Sequence, residues 1–542
     1  MAAKQAAIRN ILMVTREYGH LAGAGGVKDV VSQLAKVLGR WSGRTVSVVL
    51  PLYGFMDPEG AGFTLLADPV DQTHELSFDV DINYDLRERR EEVRVWHGRH
   101  HRVNIYLIDS PRFLEKGDVY TYTAEEEQVE SWKKAGKGHY DYFAMNVLLQ
   151  KAALGLMMIL DCRPDIIHCH DGHTALIPAM IGENDGYRHF FRDTGAVLTI
   201  HNAGMGYHQE VADLPYALAV TGLPWKLIQA NCLDGAFDPF LVASTYAIIN
   251  TVSENYGREL QESRQDALTG WLGHTLLSRG VVLEGVTNGI DPEEFDSTDP
   301  EKSGIREGFD PMAEGELKGK EACKNDILNL LSNDQRIDGL QRAGELKPDP
   351  ALPLFTFVGR LSQQKGVDVL LLALKKLLAD NAEFQFLLLG SGGRDEELKM
   401  VQLAADPEGK GRICVLRGFD PAFAKRIYAA GDFFLVPSQY EPCGLTDFMA
   451  QLYGNLPIVH HVGGLVKVID CETGLAYHEQ SGDALARVMA EAITLYNDAP
   501  DKIREMQQAA VTRIHARYTW KEVMGHYIKL YKKAAQLKRN RN

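Results

Sequence analysis

The chain has 542 residues, 45% of them hydrophobic and 24% charged, a composition that excludes disordered and fibrous proteins. At about 150 residues per domain this length predicts two or three domains. A formal charge of −15 argues against nucleic acid as the main partner, although a small phosphorylated ligand needs only a local pocket of positive charge.

Seven cysteines thinly spread do not make a disulfide framework. The first residues carry no apolar stretch of signal-peptide length, and no window is expected to reach the roughly 18 apolar residues of a membrane span. The expectation is a soluble protein of a reducing, cytoplasmic compartment.

Short β-rich apolar runs alternate with helix-length amphipathic segments along the chain. In the first half they fall at 11–15, 45–50, 104–108, 165–168, 196–200 and 247–251. After a stretch rich in Asp, Glu, Lys, Gly and Pro (291–349), read as a connection that is partly helical around 319–331, they resume at 354–358, 385–389, 412–416, 432–436 and 456–459. Near-continuous apolar runs followed by helical periodicity predict buried parallel strands with crossover helices. The fold class is therefore α/β, with two Rossmann-like doubly wound domains and ligands expected at the carboxyl ends of the strands. Two such domains facing each other make a central cleft the default active site. The predicted boundaries are 1–290, the connection 291–349, 350–515, and a closing helix within 516–542.

Several strand ends carry candidate chemistry. Gly23-Ala-Gly25-Gly26 stands between the first strand and a helix at 27–38, where backbone amides can approach a phosphate, although the spacing is not that of a dinucleotide fingerprint. His168-Cys-His170-Asp171-Gly-His173 ends another run. It reads either as a metal site of a hydrolase or as polar groups that bind a substrate or satisfy a strand end, with His168 and His170 sharing a face. In the second half, Arg360-Leu-Ser-Gln-Gln-Lys365-Gly puts two cations five residues apart in a strand-to-helix loop, a pattern suited to a diphosphate. Pro437-Ser-Gln-Tyr-Glu441-Pro-Cys443-Gly444-Leu445-Thr446 sets a carboxylate in the next such loop, and Gly463-Gly464-Leu465 offers backbone amides.

In order and spacing, these residues resemble the starch and bacterial glycogen synthase family. So do Thr199-Ile-His201-Asn202, Thr251-Val-Ser253 and Asn288-Gly289-Ile-Asp291, and the resemblance covers nearly the whole chain. The hexapeptide Glu441-Pro-Cys443-Gly444-Leu445-Thr446 is its most specific element. The resemblance implies a GT-B architecture whose last helix crosses back to the first domain. It implies a retaining transfer of glucose from ADP-glucose, or UDP-glucose, to the non-reducing end of an α-1,4-glucan, with no metal and no cofactor. Arg360 and Lys365 would neutralise the diphosphate. Gly25, Gly26, Cys443, Gly444, Leu445, Thr446, Gly463 and Gly464 would line the donor site. Glu441 would hold the sugar hydroxyls or steady the positive ring, while Asp171 and His201 would contact glucose or acceptor. Phe419 stands where a tyrosine commonly stacks on the base.

Other departures remove cations. Gly23 replaces the lysine usual in the first loop, with Lys28 nearby in the helix, and Val242 replaces another lysine in Phe240-Leu-Val242-Ala-Ser244. Gly172 replaces a tryptophan. Three rival readings stand beside the glucan synthase: a related transferase with a small sugar or polyol acceptor, a catalytically weak glucan- or nucleotide-binding relative, and the metal-dependent hydrolase.

Overall fold

The computed structural model describes residues 8–541 apart from 42, 86, 316 and 334–335. Residues 1–7, part of the stretch read above for a signal peptide, lie outside the described residues. The chain divides into two compact units, one running to Gly289 and resuming at Val523, the other Ile290–Glu522.

Across the first unit's sheet the strands follow the order Glu284–Gly285, Ile248–Thr251, Gly195–Ile200, Ile166–His170, Asn10–Val14, Thr45–Pro51, Val103–Asp109, Arg90–His100 and Thr64–Leu65. Ser77–Asp81 also pairs with Arg90–His100. The first seven are mutually parallel, and all six apolar runs of the first half lie in them. Ile166–His170 and Gly195–Ile200 are buried along their whole length, as strands covered on both faces must be. Arg90–His100 behaves differently: buried and exposed residues alternate, and it joins Val103–Asp109 antiparallel. Its charged outer face hides it from a search for apolar runs.

Asn10–Val14 has Thr45–Pro51 on one side and Ile166–His170 on the other, so the winding direction changes at this strand. Met13 lies opposite His168 and Val14 opposite Cys169, which sets the loops that follow both strands side by side at the topological switch point. Helix Val27–Arg40 buries Val30, Val31, Leu34, Ala35 and Leu38, one face at helical spacing. Helix Tyr142–Ile159 corrects an expectation, because it is long and apolar enough to cross a membrane by length and composition. Most of its length is buried within the unit, so it is apolar all round for the reason a core helix is. From Val523 the closing helix Trp520–Arg541 belongs to the first unit. There the Tyr531 hydroxyl meets His168 Nδ1 at 3.0 Å, and Lys533 is ion-paired with Glu284 at 2.5 Å.

The second unit's sheet runs Gln341–Gly344, Ile413–Arg417, Gln385–Gly390, Leu354–Val358, Phe433–Val436, Leu456–His460 and Leu475–Tyr477. All neighbours are parallel except the first pair. Leu354–Val358 lies at the switch, so the loops after it and after Phe433–Val436 are adjacent. The stretch 291–349 is not a bare connection but part of this unit. Helix Lys318–Ser332 buries Ile327, Leu328 and Leu331, and Gln341–Gly344 is an edge strand. Gln-Arg-Ala-Gly has no β-rich pattern, and the ladder with Ile413–Arg417 holds it extended. Lys320 explains much of the packing: its buried Nζ donates to the carbonyls of Ala429, Gly431 and Tyr453. One ammonium thereby satisfies backbone acceptors left over where helices Pro421–Ala430 and Thr446–Leu452 end.

Candidate active site

In the first unit, the chain leaves Asn10–Val14 through Thr15, Arg16 and Glu17, all buried. The Glu17 carboxylate accepts the amides of Ala24 (2.8 Å) and Gly25 (3.0 Å) and the Tyr120 hydroxyl (2.5 Å). The glycine turn is therefore folded around an internal anion, and the Gly25 amide is already engaged. Arg16 donates to the Tyr53 hydroxyl, to Asn146 Oδ1 and to the Val119 carbonyl, tying the segment before Tyr120 to the same strand end. Neither charged residue was singled out from the sequence. Their position directly after an apolar run and before a glycine turn was the available signal.

A side chain on residue 23 would begin 2.5 to 3.0 Å from three carbons of Lys28, so the Lys28 stem occupies that space. A lysine is thus present over the turn, although it departs from the helix. Val242, by contrast, is fully buried in Pro239–Tyr246 and supplies no cation.

After Ile166–His170, Asp171 takes φ 54° and ψ −177°, a strained conformation for a residue with a Cβ. Its Oδ1 accepts the amides of His201 (2.6 Å) and Asn202 (3.3 Å), and burial pushes its pKa up to about 8. Asp171 therefore shapes the turn that presents His201. His201 Nε2 lies 3.0 Å from His170 Nδ1, one nitrogen donating to the other. Burial holds His168 and His201 down to about 3, and His170 and His173 well below the ordinary range, so all four imidazoles are neutral at pH 7. His168 and His170 do share a face, with ring centroids 4.2 Å apart. His168 is taken up by Thr199 (2.7 Å) and Tyr531. Among the described residues no three His, Cys, Asp or Glu side chains converge as a metal-ligating group. The arrangement offers hydrogen bonds to a polar ligand.

In the second unit, Lys365 Nζ donates to Glu441 Oε2 at 2.5 Å, and Ser438 Oγ donates to the same oxygen at 2.8 Å. Burial opposes ionisation of Glu441, yet the charge and hydrogen bond of Lys365 and the Ser438 hydroxyl hold it below the ordinary carboxylate range. The loops carrying the pair are locked together. Gln439 donates its amide to the Gln364 carbonyl at 2.8 Å, and a Cβ on Gly366, at φ 67°, would lie 1.9 Å from the Pro437 carbonyl oxygen. Gly463 is equally constrained: at φ 53° its Cβ would lie 2.1 Å from the Glu441 carbonyl oxygen. The Gly464 amide donates to that same oxygen at 2.8 Å and is therefore committed to structure.

Lys467, also overlooked in the sequence, is buried under this turn. It donates to the carbonyls of Cys443 and Gly444 and is ion-paired with Asp447 at 3.1 Å. Burial raises Asp447 to about 6, with Lys467 opposing. Cys443 is buried against the Gly464 backbone, and Leu445 and Thr446 open helix Thr446–Leu452. The structure thus gathers Lys365, Glu441, Cys443, Gly444, Gly463 and Gly464. Arg360 and Phe419 are exposed, at the carboxyl ends of Leu354–Val358 and Ile413–Arg417 on the same edge of the sheet. Phe419 keeps 69% of its surface open.

The second unit thus carries a lysine–carboxylate pair at the switch point of a doubly wound sheet, and the comparisons place the chain among the glycosyltransferases. The starch synthase catalytic domain family matches residues 10–274, and the glycosyl transferases group 1 family matches 342–510. Glycogen synthase 2 of Geobacter sulfurreducens is 30% identical over 548 residues, covering 98% of this chain and 99% of that protein. The glycogen synthase of Geotalea daltonii is 33% identical over 503 residues, covering 90% and 92%. Among solved structures, the catalytic domain of starch synthase IV from Arabidopsis thaliana, bound to ADP and acarbose, superposes with a TM-score of 0.78. It shares 24% identity and covers 98% of this chain and 100% of its own. The chain belongs to the starch and bacterial glycogen synthase family.

Proposed function

We propose that this glucosyltransferase moves glucose from ADP-glucose, or UDP-glucose, to the non-reducing end of an α-1,4-glucan with retention of configuration. The observation that carries the reading is the Lys365–Glu441 pair, held between loops whose backbones cannot separate without breaking the Gly366 and Gly463 packing. The bond between the anomeric carbon and the diphosphate breaks, and its electron pair leaves with the phosphate. The acceptor hydroxyl bonds to that carbon and passes its proton to the departing diphosphate oxygen. Charge therefore grows on the diphosphate and, with opposite sign, on the sugar ring, and preorganised groups aimed at both lower the barrier.

Arg360 and Lys365 meet the diphosphate. Glu441, ionised because Lys365 faces it, accepts from sugar hydroxyls and steadies the positive ring. Phe419 stacks on the base. The amides of Gly26, Leu445 and Thr446 add donors, while Gly25 and Gly464 act by shaping their turns. Lys28, its stem laid over Gly23, supplies the cation that residue 23 does not. His201, oriented by Asp171, donates to or accepts from a sugar hydroxyl as a neutral imidazole. A nucleoside diphosphate is already a good leaving group, so the reading calls for no metal, no cofactor and no acid–base carboxylate pair. The thin spread of seven cysteines accords with a cytoplasmic setting. The test is nucleoside-diphosphate release from each donor with and without glycogen, with Glu441→Ala as the control.

The relatives named glycogen synthase and the acarbose-bound structure support a glucan acceptor over a small sugar or polyol. The weak-relative reading draws on the cations lost at Gly23 and Val242, and the Lys28 stem over Gly23 counters half of that argument.

A further inference from the structure

Under the turn that follows Glu441, the second unit buries a charge pair separate from the Lys365–Glu441 contact. Lys467 ends the short helical turn Gly463–Lys467, and Asp447 stands in the first turn of helix Thr446–Leu452. Their side chains are 4% and 0% exposed, so neither can touch a substrate. The Lys467 ammonium, 3.1 Å from Asp447, donates to two successive carbonyls, those of Cys443 and Gly444, and lies 4.5 Å from the Phe448 ring centroid. Taking an ammonium and a carboxylate out of water is costly, and packed apolar side chains would serve stability as well. What apolar side chains could not do is fix the direction of two peptide planes.

In a trans peptide the C=O and the following N–H point in opposite directions. With the Cys443 and Gly444 carbonyls drawn down onto Lys467, the amides of Gly444 and Leu445 point the other way, toward the side on which Leu445 and Thr446 are half-exposed. The backbone suits this. Gly444 has a left-handed φ of 74°, and Leu445 follows in the right-handed region at φ −112° and ψ −32°. Such a change of hand makes successive amides converge on a concavity that accepts an anion. Glycine is required at the first position, where a Cβ would lie 2.7 Å from Asp447 Oδ1 and 3.0 Å from Lys467 Nζ. Among the described residues no backbone carbonyl accepts from either amide. A carbonyl that accepts from a cation also polarises its peptide, so the N–H on the far side becomes a stronger donor. We propose that Lys467 is a positioning residue for donor binding, holding the Cys443 and Gly444 carbonyls inward so that the Gly444 and Leu445 amides face the diphosphate. Asp447 balances the buried charge. The inference rests on the donor site proposed above.

Calorimetric titration of ADP and of UDP into the full chain tests this, for wild type, Lys467→Met, Asp447→Asn and Lys467→Met/Asp447→Asn. Lys467→Met strands the Asp447 carboxylate and is expected to melt earlier, whereas the double variant recovers much of that loss because no buried charge is left. Nucleotide binding separates positioning from stability. Asp447→Asn leaves the ammonium on both carbonyls and removes a negative charge near the diphosphate, so it should bind the nucleotide more tightly than wild type. Lys467→Met and the double variant should both bind about tenfold more weakly. In steady-state assays both should raise the donor KM by a similar factor and leave the KM for glycogen unchanged. A double variant that binds like wild type would overturn the proposal, because Lys467 would then serve only to neutralise Asp447. So would an equal rise in the glycogen KM, or weaker binding by Asp447→Asn. The two readings fail separately. Transfer to glycogen by wild type, with nucleotide binding the same in all four proteins, refutes only the positioning role. Nucleotide binding that depends on Lys467 without transfer to glycogen refutes only the synthase, and a wild type that binds neither nucleotide refutes both.

Discussion

Replacing Lys365 by methionine isolates the central ion pair. The methionine keeps much of the stem volume but removes the ammonium 2.5 Å from Glu441. The Glu441 side chain is 11% exposed and that of Lys365 21%, so the pair is largely out of water. Breaking a buried pair from one side leaves an uncompensated charge, a loss of about 3 kcal/mol. The pH dependence gives the sign. In the wild type Glu441 is held below its ordinary value, so its contribution is present above the unfolded-state pKa and disappears as pH falls through the folded one. Without Lys365 the burial that opposes ionisation dominates and the folded pKa rises above the unfolded value. The variant should then be most destabilised at neutral pH and recover toward wild type at acidic pH, where Glu441 takes up a proton. Lys365→Met/Glu441→Gln should regain most of the loss at pH 7, because the buried charge is gone. Urea unfolding of the four proteins of this cycle at both pH values reads the coupling directly. A coupling below about 0.5 kcal/mol, or a Lys365→Met deficit that does not shrink on acidification, would refute the reasoning.

Three further outcomes follow from the same geometry. Asp171→Asn keeps an oxygen for the His201 and Asn202 amides but removes a carboxyl whose folded pKa is about 8; its stability advantage over wild type should widen as pH rises from about 4 to 8, as urea midpoints would show. Gly463→Ala places a Cβ 2.1 Å from a backbone oxygen at positive φ and should cost at least about 2 kcal/mol by thermal unfolding, with Glu441 displaced and transfer lost. Lys28→Ala should raise the donor KM about tenfold and leave the acceptor KM unchanged, in steady-state assays on each substrate, because a cation near the diphosphate acts on donor binding.

The legibility of this chain follows from what each residue's role depends on. Strands buried on both faces, such as Gly195–Ile200 and Gln385–Gly390, announce themselves as apolar runs because no residue in them meets water. Arg90–His100 shows only one apolar face, and Gln341–Gly344 shows none, so their strand character comes from the partner ladder. In the site, Arg360, Lys365 and Glu441 are readable because charged residues in a glycine-bearing loop after a strand have few structural reasons to be there. Glu17 and Lys467 are harder, since what they bind is backbone: two turn amides in one case, two turn carbonyls in the other. Asp171 was readable as polar site chemistry, while its work of orienting the turn before His201 depends on a register that no spacing rule encodes. The Lys28 stem over Gly23 is a compensation visible only once the helix direction is known.

The most direct test of the account is nucleoside-diphosphate release from ADP-glucose and UDP-glucose, each with and without glycogen, for wild type and Glu441→Ala. The account predicts release that requires glycogen, lengthens its outer chains and vanishes in the variant. Release that ignores glycogen, or that survives the loss of Glu441, would contradict it.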